Sequence, residues 1–182
     1  MKRTLAGLAA TTAGVAALAA AALTAPGASA TPSATTSVAN ASASITASQN
    51  VTPAAVKRAR QRAAYSASIV TRVNTLRVSR GLPALTVAED LTAYATTHSA
   101  QMARPHRLAH STGLAQLCCW RVVGENVAFA ASPYKAHVAL VHSPKHLANM
   151  LDPRYTEVGV GAVSSGGQVW VTEVFRTRAP GR

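Results

Sequence analysis

The sequence predicts an α+β domain in which helices cover both faces of an antiparallel sheet, a three-layer α-β-α sandwich. Apolar residues recur at helical spacing in the first half of the chain, whereas its end changes to the period of strands. Residues 157–163 and 168–175 are rich in Val, Trp and Phe and flank a Ser-Ser-Gly-Gly turn, which indicates a closing β-hairpin. Because both faces of this hairpin are largely apolar, helices are expected on both sides of it.

Residues 1–30 have the three parts of a secretory signal peptide. Lys2 and Arg3 supply the charged region, and residues 5–23 form an apolar stretch rich in alanine. We expect cleavage after Ala30, which ends a run of small residues; an uncleaved membrane anchor is the alternative. No later segment is apolar and long enough to insert stably in a membrane, so the sequence predicts a secreted, extracellular protein.

Residues 31–54 contain no charged residue and consist mostly of Ala, Ser and Thr with scattered Pro. Such a composition cannot bury enough apolar surface to offset the entropy lost on ordering. We therefore predict a flexible linker over 31–54 and a folded domain over 55–182.

The chain is strongly basic, with a formal net charge of +12. This charge favours anionic partners such as cell-envelope polymers, although a cluster of cations can equally be the solvated start of a helix. No nucleic-acid partner is predicted, because no basic motif interleaved with aromatic residues is present. The main cluster lies early in the domain and consists of Lys57, Arg58, Arg60 and Arg62.

The first helix is expected to begin at Thr52-Pro53, which is typical of a cap followed by proline in the first turn. It should stop at Gly81. A second helix is expected over about 88–102. Two short helices should follow, because Ser132-Pro133 and Ser143-Pro144 repeat the cap-then-proline pattern.

The first strand of the hairpin has glycine on one face only. Gly159 and Gly161 leave that face without side chains, so we expect another element to pack closely against it. Trp170 and Phe175 on the second strand should anchor the sheet in the core.

Cys118 and Cys119 are adjacent in a chain expected to enter an oxidising compartment. A vicinal disulfide is one interpretation and a pair of buried free thiols is the other. Neither closes a long loop, so stability must come from the hydrophobic core.

Three polar residues lie where chemistry could occur. Glu125 is one of six acidic residues and lies in the otherwise apolar run 122–129, where an ionised carboxylate needs a partner. With acids scarce, the available partners are the imidazoles of His110, which precedes Ser111, and His146. His146 should lie in the first turn of a helix, where a neutral ring is favoured.

Several segments, in their order along the chain, resemble the CAP superfamily of cysteine-rich secretory, antigen 5 and pathogenesis-related proteins, in its bacterial SCP-like form. The resemblance extends from about Ser68 to the C-terminus. It rests on these segments: Gly81–Leu85, His98-Ser99, His110-Ser111, Gly124–Ala128, Ser143–His146, Asn149–Leu151, Val158–Gly161 and Val169–Phe175.

This resemblance implies a cleft lined by two histidines and two glutamates, which in some members bind a divalent metal. Matched by motif, His110 is the first histidine, Glu125 the first glutamate and His146 the second histidine. The second glutamate is missing, since Ser143 or His142 stands where it is expected.

Two imidazoles and one carboxylate can hold zinc or another divalent metal, with His110 and His146 as ligands. Glu125 would join them as a third ligand, orient a histidine or remove a proton from bound water. We therefore predict a secreted SCP-like CAP-domain protein whose cleft binds a small ligand or divalent metal. No catalytic residue is assigned. The alternatives are a metal-dependent hydrolase, a module that binds anionic envelope polymers, and a purely structural polar cluster.

The remaining histidines are given other roles. His98 should be a hydrogen-bonded core residue of the second helix. His106, His137 and His142 should be exposed or make local contacts. His142 and His146 have i, i+4 spacing, but the predicted start of a new helix between them separates the pair.

Overall fold

The structure, a computed structural model, describes residues 52–179. The predicted signal peptide with its cleavage site after Ala30 lies outside the described residues, as do residues 31–51 of the predicted linker. Thr52 caps the first helix by accepting a hydrogen bond from the backbone N–H of Ala55, and that helix begins at Pro53. The folded domain thus starts two residues inside the predicted linker. Over residues 52–179, none of the helices has the length and apolar character needed to cross a membrane.

Four helices and four strands make up the described domain. The two short helices begin at the predicted cap-then-proline positions, Pro133 and Pro144, and Ser132 caps the first of them by accepting from the backbone N–H of Lys135. In chain order the elements are α1 (Pro53–Ser79), β1 (Thr86–Val87), α2 (Glu89–Ala103), a 3₁₀ turn (Leu114–Gln116), β2 (Trp120–Ala130), α3 (Pro133–Val141), α4 (Pro144–Met150), β3 (Glu157–Ser165) and β4 (Gln168–Arg178).

The sheet has the strand order β1-β3-β4-β2. The predicted hairpin is confirmed: β3 and β4 pair antiparallel, and Gly166 and Gly167 close the turn with φ of 58° and 73°, as a two-residue hairpin turn requires. One pairing departs from the expected antiparallel sheet. β1 pairs parallel to β3, so the sheet is mixed. A two-residue strand paired with a segment some seventy residues away leaves no periodic pattern in the sequence.

The three predicted layers are confirmed. On one face of the sheet, Ile69 and Val73 of α1 share a buried cluster with Leu140 of α3 and Met150 of α4. On the other face, α2 packs against β3 and β4. Trp170 is 2 % exposed and Phe175 is fully buried, as expected of core anchors.

The glycine face of β3 accommodates the backbone of α2. A Cβ atom on Gly159 would collide with the backbone of Leu91 and Thr92, and one on Gly161 with the backbone of Ala95. The close approach predicted from these glycines is therefore confirmed.

Arg77 joins the end of α1 to the segment that follows α4. Its guanidinium is buried and donates to four carbonyl oxygens at 2.8 to 3.3 Å, those of Pro83, Met150, Asp152 and Tyr155. Burial lowers the pKa of Arg77. Because the carbonyls come from both segments, this single side chain ties the end of α4 to the loop after α1.

Cys118 and Cys119 lie between the 3₁₀ turn and β2, and their sulfur atoms are bonded to each other. Cys119 has a φ of 69°, a left-handed conformation that is uncommon for a non-glycine residue. The alternative of two free thiols is not what the structure shows.

Candidate functional site

His110 and Glu125 form the centre of the candidate site. His110 lies in the loop after α2, and Glu125 lies in the middle of β2. The His110 Nδ1 atom is 2.8 Å from Glu125 Oε1, and the backbone N–H of Ser111 donates to the same oxygen at 2.9 Å. The Glu125 side chain is buried, whereas that of His110 is 60 % exposed. Because Nδ1 is engaged, the Nε2 atom of His110 is the one left to meet a ligand.

The second carboxylate oxygen of Glu125 is an unused hydrogen-bond acceptor in the described part of the chain. Oε2 is buried and has no hydrogen-bond partner within residues 52–179. His98 Nε2 lies 4.0 Å from this oxygen, but it bonds the carbonyl of Ala109 at 2.9 Å. His98 is therefore the hydrogen-bonded buried residue that the sequence predicts, and it borders the site.

His146 lies in the first turn of α4, half-buried. Its Nδ1 atom is buried without a partner in the described part of the chain. Burial lowers the pKa of His146, and the positive charge of a protonated His110 lowers it further. The ring is therefore neutral at neutral pH, which is the form that binds metals.

The structure does not assemble His110, Glu125 and His146 into one compact chelate. Over residues 52–179, no three His, Cys, Asp or Glu side chains are grouped closely enough to hold a metal ion. Glu125 contacts His110, while His146 is held near them by other residues.

Two asparagines position His146 against β2. Asn126 Nδ2 donates to the backbone carbonyl of His146 at 3.1 Å and to Glu173 Oε2 at 3.0 Å. Asn149 Nδ2 donates to Asn126 Oδ1 at 2.9 Å and to the carbonyl of Glu125 at 3.2 Å. This amide network ties α4 to the strand that carries Glu125.

Glu173 is the site residue that sequence reasoning missed. It is fully buried on β4, and burial raises its pKa from 4.5 to about 7. Its Oε1 atom has no partner within the described residues. A signal was present in the sequence, since Glu173 is one of only six acids and lies in a segment rich in Val, Trp and Phe.

A cavity of about 310 Å³ opens beside His110. Its polar lining includes Tyr94, whose hydroxyl donates to Ser111 Oγ at 2.7 Å. The other residues around it are Thr97, His98, Gln101, Thr112, Gly113 and Gln116. A small polar ligand that entered this cavity would meet His110 directly.

The other histidines are partly as expected. His142 is exposed and Nδ1 bonds the Val138 carbonyl of its own helix at 2.8 Å, and the exposed His106 ring meets the edge of Trp170. The prediction for His137 was wrong, because this residue is buried. It lies where α3 packs against α1, and burial together with the charge of Arg72 lowers its pKa.

A larger groove of about 630 Å³ runs between α1 and α3, away from the His110–Glu125 pair. Arg72 lies over the Tyr134 ring at 4.7 Å from its centroid on one side of this groove. This groove and the histidine–glutamate cleft are therefore separate features of the fold.

Comparison with known proteins gives a consistent result. The sequence model of the CAP family, described as the cysteine-rich secretory protein family, matches residues 70–175. No curated protein matches the chain at a significant level.

Solved structures show the same fold. An extracellular protein containing an SCP domain from Bacillus anthracis superposes with a TM-score of 0.61 at 22 % identity, covering 70 % of this chain and 44 % of that one. An outer surface protein from Borrelia burgdorferi superposes with a TM-score of 0.56 at 14 % identity, covering 60 % of this chain and 90 % of that one. Venom allergen-like protein 4 from Schistosoma mansoni superposes with a TM-score of 0.50 at 14 % identity, covering 63 % of this chain and 88 % of that one. The chain spans less than half the length of the Bacillus protein.

Proposed function

This chain belongs to the cysteine-rich secretory protein (CAP) family, and we propose that it is an exported protein whose cleft binds a divalent metal or a small ligand through His110 and His146. The observation that carries the proposal is the 2.8 Å contact between His110 Nδ1 and Glu125 Oε1. A carboxylate on one ring nitrogen fixes the tautomer and orientation of an imidazole and raises the basicity of the other nitrogen.

His110 and His146 are the residues that would hold a zinc ion in this cleft. His146 is neutral at neutral pH because burial lowers its pKa, and His110 has its Nε2 atom free. Glu125 orients His110 and does not complete the ligand set. When bound, zinc supplies a Lewis-acidic centre that can accept water or a small ligand at its remaining positions.

Two imidazole ligands make a weaker site than three or four. We therefore expect modest affinity that depends on pH, because both histidines must be unprotonated to bind the metal. Binding should be present at pH 7.5 and weaker at pH 5.5, because protons compete with the metal for the imidazole nitrogens.

Calorimetric titration of zinc into the wild-type protein and His146→Ala tests the proposal. We expect binding by the wild type at pH 7.5 and loss of it in the variant. His142→Ala is the matched control, because His142 is exposed and bonds only its own helix. Glu125→Gln should weaken binding about 10- to 100-fold.

Equal zinc binding by wild type and His146→Ala at pH 7.5 would remove the metal from the proposal. No zinc binding in any protein, combined with strong destabilisation by Glu125→Ala, would make the cluster structural. Zinc-dependent turnover that disappears in Glu125→Gln would instead favour a hydrolase.

Export is supported by the predicted signal peptide and by the extracellular and outer-surface descriptions of the structural neighbours. N-terminal sequencing of protein collected from the culture medium should give a chain that begins at Thr31. Recovery of the protein only inside the cell, with Met1 retained, would contradict this part of the proposal.

A further inference from the structure

The Cys118–Cys119 bond lies where the loop that carries His110 joins β2. This loop, residues 104–119, ends at the bonded pair, and β2 begins at the next residue. The 3₁₀ turn just before the pair belongs to the same loop, and its last residue, Gln116, lines the cavity beside His110. A change in the backbone at the pair is therefore only two residues away from a wall of that cavity.

The bond adds little to the stability of the whole fold. A disulfide stabilises mainly by closing a loop of the unfolded chain, and the effect grows with the length of that loop. Cys118 and Cys119 are adjacent, so the loop that they close has no residue between them. The turn before the pair is held by other contacts, because Leu114 and Leu117 pack against the buried cluster around Leu91 of α2. The role of the bond is therefore local.

Cys119 has an unfavourable backbone conformation. Its φ of 69° lies in the left-handed region, which L-residues avoid because the Cβ atom approaches a carbonyl oxygen. The Cys118 carbonyl accepts from Arg176 Nη1 at 3.3 Å, but this nitrogen has a closer partner in Asp90 Oδ2, at 2.6 Å. The Cys119 carbonyl accepts from the backbone N–H of Ala179 at 2.7 Å, and Ala179 is partly exposed to water. Once the bond is open, Cys119 can turn to a negative φ without leaving a buried donor unpaired.

A thiol in solution can reach the bond, because Cys118 is exposed and Cys119 is partly exposed. Residues 104–124 contain three arginines and no acidic residue, and the Arg176 guanidinium donates to the Cys118 carbonyl. Positive charge beside a cysteine favours its thiolate, the form in which a sulfur leaves during thiol–disulfide exchange. Exposed disulfides are the labile ones, whereas structural disulfides resist reduction. This bond therefore has the surroundings of a labile disulfide.

We propose that the Cys118–Cys119 bond is a site of thiol–disulfide exchange, and that its reduction by a dithiol releases the cavity wall that contains Gln116. One thiolate of the dithiol attacks the exposed sulfur of Cys118, and the Cys119 sulfur leaves as a thiolate. The second thiolate of the dithiol attacks its own partner sulfur in the mixed disulfide, and the Cys118 sulfur leaves in turn. The reductant departs as a disulfide, and the two cysteines have gained two electrons and two protons. The proposal does not depend on metal binding at His110 and His146.

Dithiothreitol is the dithiol that tests this on the exported protein. The thiols that it forms are counted by alkylation and mass spectrometry, and amide hydrogen exchange is measured for the oxidised and the reduced protein. In the test variant, Cys118 and Cys119 are both replaced by serine, so the bond cannot form. The same variant treated with dithiothreitol is the control for effects of the reductant elsewhere. The amides of the β3–β4 hairpin report whether the fold stays intact.

Dithiothreitol should open the bond in the native protein and give two alkylated cysteines. Exchange of the amides over residues 113–120 should become about tenfold faster or more, in the reduced wild type and in the serine variant alike. The hairpin amides should keep their protection in every sample. Dithiothreitol should leave the exchange of the serine variant unchanged.

Three results would overturn the proposal. Opening of the bond only when the hairpin amides also lose protection would make it a structural disulfide. An open bond with unchanged exchange over residues 113–120 would mean that the pair does not control the turn. Faster exchange in the serine variant but not in the reduced wild type would be an effect of the substitutions. Zinc is absent from all these measurements, so failure of the metal site would not alter their outcome.

Discussion

His110 Nδ1 lies 2.8 Å from Glu125 Oε1, and this contact joins the loop after α2 to the centre of β2. Glu125→Ala removes the acceptor for both His110 and the backbone N–H of Ser111. We expect the free energy of unfolding to fall by about 1 to 3 kcal/mol in urea denaturation. Glu89→Ala is the control, because Glu89 is an exposed acid, and it should change stability far less. Equal effects would mean that the contact does not hold the loop.

Arg77→Lys should destabilise the protein although the charge is retained. Lysine has three donors on one nitrogen and cannot reach four carbonyls spread around a planar guanidinium. Two or more buried carbonyls lose their partners, so a loss of about 2 to 4 kcal/mol is expected from the urea midpoint and slope. Arg80→Lys, an exposed position three residues further on, should have no measurable effect. A stable Arg77→Lys variant would show that water replaces the missing donors.

Glu173 should make stability fall as pH rises. Its folded pKa of about 7 is above its ordinary value of 4.5, so the native state holds a proton that the unfolded state has released. Stability from this group is complete below pH 4.5 and decreases until about pH 7. Glu173→Gln, which cannot ionise, should therefore equal the wild type near pH 4 and exceed its stability at pH 8.

Other carboxylates, whose pKa values lie below their usual range, also make stability depend on pH. Asp90 is one such group, because the Arg176 guanidinium beside it holds its pKa down. Both proteins contain them, so the difference in stability between wild type and Glu173→Gln at each pH reports Glu173 alone. Parallel stability curves for the two proteins from pH 4 to pH 8 would refute the assignment of this pH dependence to Glu173.

Gly161→Ala should destabilise the sheet by about 1 to 3 kcal/mol or more, because the added methyl group meets the backbone of Ala95 and Thr96 in α2. The backbone of a helix cannot move away from the added methyl group as easily as the end of a side chain can. Gly113→Ala is a matched control, since its methyl group would meet only the hydroxyl end of Tyr94. A thermal melt of each variant measures the difference, and similar melting temperatures would mean that α2 shifts at little cost.

The sequence predicts those parts of the fold that depend on neighbours along the chain. Ser132-Pro133 begins a helix because the serine side chain accepts from a backbone N–H three residues later. The β3–β4 hairpin is similarly local. By contrast, β1 exists only because Thr86 and Val87 pair with Glu157 and Val158, and nothing in the two residues indicates that register.

In the candidate site, too, the sequence predicts what depends on neighbouring residues and misses what depends on distant ones. A lone acid in an apolar run correctly marks Glu125 as needing a partner. Glu173 meets the same criterion and was missed, because its partner Asn126 lies on another strand 47 residues away. His137 was misplaced for a related reason, since its burial depends on α3 packing against α1.

The bond between Cys118 and Cys119 has a consequence for how the protein matures. Two cysteines allow a single intramolecular pairing, so oxidative folding has no scrambled isomers to correct and no need of an isomerase. Because the bond links adjacent residues, it holds no distant segments together, and the order of oxidation and collapse is immaterial. The native topology of the domain should therefore not depend on when the bond between Cys118 and Cys119 forms.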